Sequence, residues 1–258
     1  MRPRRNIYES DRLLAEYLLF HYGMDLEILP CDFGPREALH FPERCVQLCF
    51  ESLAQPRVRR ILDLGCAVGR ATFEFARFCE GVVGIDYSAN FIAAANSLKE
   101  KGSLNHVRRE EGEIVVPARA VVPPEIERER VMFEHGDACK LRTDLGVFDL
   151  VLMANLIDRL PHPRSCLQRT PSLVRAGGIL VITSPYTWLE EFTPRKHWLG
   201  GIERHGKPTR TLDSLKLILK RDFSLVVRKD LPFLIREHAR KFQWGVAEAT
   251  VWKRNPTK

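Results

Sequence analysis

No Cys-x-x-Cys pair occurs in this chain, and no histidine pair stands at metal-ligand spacing beside its seven cysteines. An odd, scattered set of thiols excludes both a disulfide framework and a zinc module. Cys45 and Cys49 share one helix face and read as buried thiols of a reducing compartment. No uncharged apolar run is long enough to span a bilayer. The basic start at residues 1–5 lacks the apolar core of a secretory signal, because Glu9, Ser10, Asp11 and Arg12 follow it; a cytoplasmic protein is expected. Repeats and low-complexity tracts are missing as well.

Acids are in the minority: 40 Lys and Arg against 33 Asp and Glu leave a net charge of +7, with a pI near 9.1. That balance admits a nucleic-acid partner. The basic residues alternate with acids, however, as in residues 125–130, and aromatics do not interleave with them as a stacking platform requires. A solvated basic surface is therefore favoured. The 258 residues, 45% hydrophobic and 28% charged, suit one globular α/β domain with additions.

What is present centres on Ile61-Leu-Asp-Leu-Gly-Cys-Ala-Val-Gly69. An apolar run ending in Asp63 and tipping into a Gly-rich turn is the strand-to-loop edge of a nucleotide-binding α/β unit. Gly65 and Gly69 let the backbone bend and a ligand approach the main chain. The next segment carries Ala71, Phe75 and Phe78 at helical spacing, so a helix over 70–79 is predicted, its N-terminal amides facing the ligand. A dinucleotide fingerprint would need a glycine where Ala67 stands and a third glycine in register. Asp63 would repel a pyrophosphate but suits a cationic amine, such as that of S-adenosylmethionine. A second strand over 82–85 ends in Asp86-Tyr87, where a ribose-binding acid is expected. A third, over 131–134, is followed by Gly136-Asp137-Ala138, a place for an acid that contacts adenine. This pattern of acids at three successive strand ends resembles the class I S-adenosylmethionine-dependent methyltransferases. On that reading Asp63, Gly65, Cys66, Ala67, Gly69, Asp86, Tyr87, Asp137, Ala138 and Asn155 hold the cofactor.

The remaining pattern fits an α/β, Rossmann-like doubly wound sheet of seven strands with N-terminal helices and an insertion before strand three. One domain is expected, with a helical cover over 1–57 and a core over 58–258. Ser10 caps a first helix with Leu14, Tyr17, Leu18 and His21 on its inner stripe, and Gly23 ends it; a second starts at Pro42. A helix runs from Ser88 to about Lys101. Residues 103–130 interrupt the rhythm, with a small hairpin predicted over 113–122 around Pro117. A fourth strand over 148–154, a helix over 164–174, a Gly177-Gly178 turn and a fifth strand over 179–184 follow. After residues 212–220, two β-rich runs, 224–235 and 242–253, complete the chain.

An acceptor for the methyl group must lie outside the strand ends, after strands four and five. Residues 154–159 and 184–195 occupy those places. Tyr186-Thr-Trp-Leu-Glu-Glu-Phe-Thr-Pro194, followed by Trp198-Leu-Gly-Gly201, resembles the 4-mercaptohistidine N1-methyltransferase family of ovothiol biosynthesis. Tyr8-Glu-Ser-Asp11, Glu16-Tyr-Leu-Leu-Phe-His-Tyr-Gly23, the loop Gly65-Cys-Ala-Val-Gly-Arg70 and Arg236-Glu-His-Ala-Arg-Lys-Phe-Gln-Trp244 match as well, so the likeness runs from near residue 8 to near residue 253. It implies transfer of a methyl from S-adenosylmethionine to the side-chain-proximal ring nitrogen of 5-thiohistidine, giving ovothiol A and S-adenosylhomocysteine. A sulfoxide synthase is the implied pathway partner. Position and residue type assign Asn155 and Tyr186 to the reacting centre, Trp188 to the ring, Glu190 or Glu191 to the acceptor's ammonium and Arg195 to its carboxylate. Another small-molecule acceptor, histidine among them, an RNA, or a non-catalytic cofactor-binding module stay open as alternatives. Against RNA, the Asn/Asp-Pro-Pro-aromatic of amino methylation is absent after strand four.

Overall fold

The computed structural model describes residues 7–53, 58–204 and 206–256; the basic start at residues 1–5 lies outside them. Seven strands form one sheet: β1 (Val58–Leu64), β2 (Cys79–Asp86), β5 (Val131–His135), β6 (Phe148–Ala154), β7 (Val174–Ser184), β10 (Phe223–His238) and β11 (Lys241–Arg254). Their spatial order is β10-β11-β7-β6-β1-β2-β5. The strands from β7 to β5 are parallel, and β11 runs antiparallel to both its neighbours. β1 and β6 sit side by side where the chain reverses its direction of winding, and in open sheets that crevice is where ligands bind. Ile61, Leu62 and Leu64 are fully buried, which is why β1 reads as continuous apolar sequence rather than alternation.

The helices are α1 (Asp11–Tyr22), α2 (Asp25–Ile28), α3 (Phe41–Glu51), α4 (Arg70–Phe75), α5 (Ala89–Lys101), α6 (Pro163–Arg169) and α7 (Thr211–Leu219). Ser10 and Ser88 cap α1 and α5 by accepting from the amides of Leu13 and Phe91, as Ser at an N-cap should. One core cluster lies between the sheet and α1, α3, α4 and α5; a second lies under α6 and α7 and includes the buried Trp252.

Four expectations are corrected. The helix after the glycine turn stops at Phe75, and Phe78 is exposed, its ring 4.6 Å from that of Phe50. The 103–130 insertion is a longer ribbon than expected: β3 (Ser103–Glu111) pairs with β4 (Ile114–Val121), and Pro117 stands opposite Val107 within it. β3 escapes a sequence reading because a two-stranded solvated ribbon has no wholly apolar face to advertise, and such a ribbon leaves edges where proline is tolerated. Helix α6 ends at Arg169, and a 3-10 turn over Thr170–Ser172 hands over to β7, which begins at Val174. Gly177 and Gly178 are thus within β7, where the register against β6 shifts between Phe148 and Leu150, a bulge rather than a turn. A short pair, β8 (Ile202–Arg204) and β9 (Lys207–Thr209), went unpredicted.

Candidate active site

The turn after β1 is held by its neighbour strand. The amides of Gly65 and Cys66 donate to the Ile85 carbonyl, and the Ala67 amide donates 2.9 Å to Asp86 Oδ2. Asp86 Oδ1 accepts from the Ser88 amide at 2.8 Å. One carboxylate therefore ties the glycine turn to the start of α5. Each of its oxygens retains a further lone pair, enough to accept from a vicinal diol. Gly65 and Gly69 adopt φ of +82° and +86°, and Ala67 joins them at +48°. At Gly69 a Cβ would also meet Phe133 Cζ at 2.4 Å. Gly69→Ala is accordingly expected to lose about 2–4 kcal/mol, from left-handed strain and overpacking combined; urea unfolding measures it.

Asp63 is buried beneath the turn and accepts from Thr72 Oγ1 at 2.6 Å. Burial pushes its carboxyl up to about 7, against the opposing hydrogen bond from Thr72. Cys66 is a buried thiol that burial pushes up, so it is a wall, not a nucleophile. After β5, Asp137 accepts from the Cys139 amide, and Ala138 is buried. Tyr87 is exposed and its ring stacks 6.1 Å from that of His135.

At the ends of β6 and β7 the chain is strained in two adjacent places: Asn155 has φ +49° and Tyr186 φ +55°. Non-glycine residues hold such angles only where the surroundings fix them, and they cluster at functional sites. The Asn155 amide donates to the Thr183 carbonyl and to Thr183 Oγ1, whose hydroxyl in turn donates to Asn155 Oδ1. The side-chain NH2 of Asn155 is the part not used in this bracing. Asp158, fully buried, accepts from Ser184 Oγ, the Thr187 amide and Arg159 Nη1. It pins the two strand-end loops together, and burial raises its carboxyl despite Arg159.

An aromatic roof closes the crevice. A 3-10 turn, Ile7–Glu9, docks on the start of α5: Glu9 accepts from the amides of Ala89 and Asn90, and Ser88 Oγ donates to the Tyr8 carbonyl. The Tyr8 ring lies 6.1 Å from Phe192 in a stacked arrangement, 6.0 Å from Tyr17 and 5.8 Å from Phe91. Arg159 sits over Phe192 at 4.8 Å. Burial raises the Tyr8 phenol, opposed by Arg159, with Asp158 and Asp86 also close enough to act on it. Further along α1, Tyr22 donates to the Val68 carbonyl of the glycine turn at 2.8 Å. The inner face of α1 thus runs across the crevice from Tyr17 to the turn.

The predicted residues separate into groups. Asp63, Gly65, Cys66, Ala67, Gly69 and Asp86 converge on one turn, Tyr87, Asp137 and Ala138 stand at the adjoining strand ends, and Asn155 and Tyr186 stand on neighbouring ones. Tyr186 donates 2.6 Å to Glu248 Oε2, and Arg228 pairs with that same carboxylate. Trp188 is buried, its indole donating 2.9 Å to Thr211 Oγ1 within the second core cluster. Glu190, Glu191 and Arg195 are exposed, Arg195 lying 5.6 Å from the Trp198 ring. Sequence reasoning passed over Tyr8, Phe192, Asp158 and Arg159 as site residues. Asp158, Arg159 and Phe192 fall in the strand-end segments 154–159 and 184–195, but nothing in their residue types singled them out there.

Among the described residues no three His, Cys, Asp or Glu side chains are grouped to hold a metal ion, and no helix is long and apolar enough to cross a membrane. Residues 62–180 match a family described as a methyltransferase domain. A ubiquinone biosynthesis O-methyltransferase from Rhodopseudomonas palustris is 30% identical over 137 residues, 53% of this chain and 41% of that protein. A 23S rRNA (uracil-C(5))-methyltransferase from Vesicomyosocius okutanii is 31% identical over 94 residues, covering 36% of this chain and 21% of that one. The chain therefore spans less than half the length of these relatives. Among solved structures, the N-methyltransferase NodS from Bradyrhizobium japonicum, in complex with S-adenosylhomocysteine, covers 95% of this chain and 99% of its own, with a TM-score of 0.54 at 18% identity. The [4+2]-cyclase SpnF has a TM-score of 0.53 at 17% identity, covering 84% of this chain and 81% of its own. Both likenesses are of fold.

Proposed function

We propose that this chain, a member of the class I S-adenosylmethionine-dependent methyltransferase superfamily, methylates the side-chain-proximal ring nitrogen of 5-thiohistidine. Its residues fit that cofactor: Asp86 offers spare acceptor capacity to a ribose, and Asp137 and buried Ala138 stand at the next strand end, where an adenine would lie. When bound, the cofactor supplies a methyl carbon on a cationic sulfur.

The observation that carries an aromatic small-molecule acceptor is the roof of Tyr8, Tyr17, Phe91 and Phe192 with Arg159, set against the ends of β6 and β7. Flat rings held between such walls keep one edge toward the strand ends, which fixes the attacking atom. That control is what a thiohistidine demands, because its thiolate is a better nucleophile than its ring nitrogen. The resemblance of residues 8–11 and 186–201 to the thiohistidine methyltransferases selects this acceptor within the class. The NH2 of Asn155, left over from the bracing to Thr183, would donate to acceptor or cofactor, and the Tyr186 oxygen, whose O–H donates to Glu248, can accept from a ring N–H. The exposed Glu190, Glu191 and Arg195 enter only as groups at the rim.

The test is a mass-spectrometric assay with S-adenosylmethionine and 5-thiohistidine, histidine and bulk tRNA as competing acceptors. One methyl on the proximal nitrogen of thiohistidine is expected. Transfer to tRNA alone, or S-methylation of the thiohistidine, overturns the reading.

A further inference from the structure

Helix α1 borders a cavity on the side away from the crevice. Arg12, Ala15, Glu16 and Leu19 recur at i, i+3, i+4 and i+7, so they share a stripe turned away from Tyr17. Behind that stripe, where α1 meets the β3–β4 ribbon and the end of β10, lies a cavity of about 180 Å³. A wider hollow of about 470 Å³ adjoins it, sharing Arg12, Glu16 and Glu237, and reaches Ile7 in the turn that carries Tyr8.

The lining has two parts. Ala15, Leu19, Val107 and Val115 make an apolar wall. Arg109 and Arg236 supply positive charge that the chain compensates only in part. Arg236 is 2% exposed; its Nη2 donates to both Glu110 oxygens at 3.0 Å, and its Nε has no hydrogen-bond partner. Burial pushes its guanidinium down, and Glu110, which also pairs with Arg108, offsets this incompletely. Arg109 donates to the Gly112 carbonyl at 3.0 Å, and among the described residues no carboxylate pairs with it. The buried acids of the lining are already engaged. Glu16 and Glu237 both pair with Arg12, and Glu237 pairs with Lys241 as well.

A cavity of about 150 Å³ holds a benzene ring, and an open cation beside an apolar wall suits an anion carried on an apolar body. We propose that this cavity binds a small carboxylate of that kind, at a site separate from the methyl-transfer crevice. Helix α1 stands between the two: the cavity touches one face, while Tyr17 meets the roof and Tyr22 donates to the glycine turn from the rest of the helix. An occupant therefore bears on the helix that covers the crevice, whichever acceptor takes the methyl group.

Benzoate is the probe, titrated by calorimetry into the full chain with and without saturating S-adenosylhomocysteine. One molecule is expected to bind in both cases, with a dissociation constant of about 1 mM or tighter. Benzamide, alike in shape and uncharged, is expected to bind about 10-fold more weakly or worse. Inorganic phosphate at equal concentration, lacking the apolar body, is expected to leave benzoate in place. Two variants locate the site. Arg109→Gln removes the open cation, and Ala15→Leu fills the cavity from α1 with another good helix former. Each is expected to weaken benzoate by about 10-fold while the affinity for S-adenosylhomocysteine stays within about 2-fold. Thermal melts check that both fold; if Ala15→Leu does not, Arg109→Gln decides alone. The site is overturned by an absence of saturable binding, by equal binding of benzamide, by displacement with phosphate or S-adenosylhomocysteine, or by unchanged benzoate affinity in Arg109→Gln.

Discussion

Asp86→Ala is expected to weaken binding of S-adenosylhomocysteine by about 100-fold or more. Two effects add. A carboxylate that accepts from two ribose hydroxyls makes charge-assisted bonds worth about 1.5–3 kcal/mol each. The same carboxylate accepts from the amides of Ala67 and Ser88, so its removal also releases the turn that shapes the site and the first residue of the α5 cap. Asp86→Asn separates the two. Its amide oxygen can still accept from one backbone N–H, but its NH2 faces the other donor, so a partial loss near 10-fold, or about 1.4 kcal/mol, is expected. Calorimetry on both variants is the check. A full-strength Asp86→Ala complex would remove the cofactor from this crevice.

That acid was readable from the sequence because it ends a strand of unbroken apolar residues, Val82 to Ile85, at a fixed remove from a glycine turn. Local chemistry wrote it there: a buried parallel strand has no polar face, and the first polar residue after it marks the strand's end. The β6 and β7 ends were legible in the same way, through Asn155 and the run after Ser184. The roof was not. Tyr8 reaches the site by folding back from a segment 78 residues before Asp86, held there by Glu9 on the amides of Ala89 and Asn90. No periodicity in residues 7–9 announces such a contact. Arg159 reads as an ordinary surface arginine until Asp158 and the Thr187 carbonyl fix it over Phe192. Trp188 shows the converse. Its residue type points to a ring wall, but Thr211 takes its indole N–H and the second core buries it. A tryptophan's apolar bulk serves packing as readily as recognition, and only the tertiary partner tells the two apart.

Asp63 carries the second large effect, and its sign follows from its burial. The folded protein holds this carboxyl at about 7 against an ordinary value of 3.8. Between those values the folded state keeps a proton that the unfolded chain has released, so stability is highest at acid pH within that window and falls as pH rises through it. The difference of roughly 3 pK units corresponds to a cost of about 4 kcal/mol at pH 8, to order of magnitude. Asp63→Asn retains an acceptor for Thr72 Oγ1 and has nothing to titrate. It is therefore expected to be more stable than the wild type at pH 8, by about 2–4 kcal/mol, with little difference at pH 4. The carboxylate earns its place through the ligand. A cationic amine of the cofactor seated above the turn would favour the ionised form, so cofactor binding near neutral pH should release a proton from Asp63, and affinity should rise with pH up to about 7. In Asp63→Asn that pH dependence disappears and affinity drops about 10-fold or more. Urea unfolding at pH 4 and 8 measures the first effect. Calorimetry in two buffers of different ionisation enthalpy measures the second. A variant that is no more stable at pH 8, or a wild-type complex that forms without proton release, would show that Asp63 is ionised throughout and that Thr72 alone sets its state.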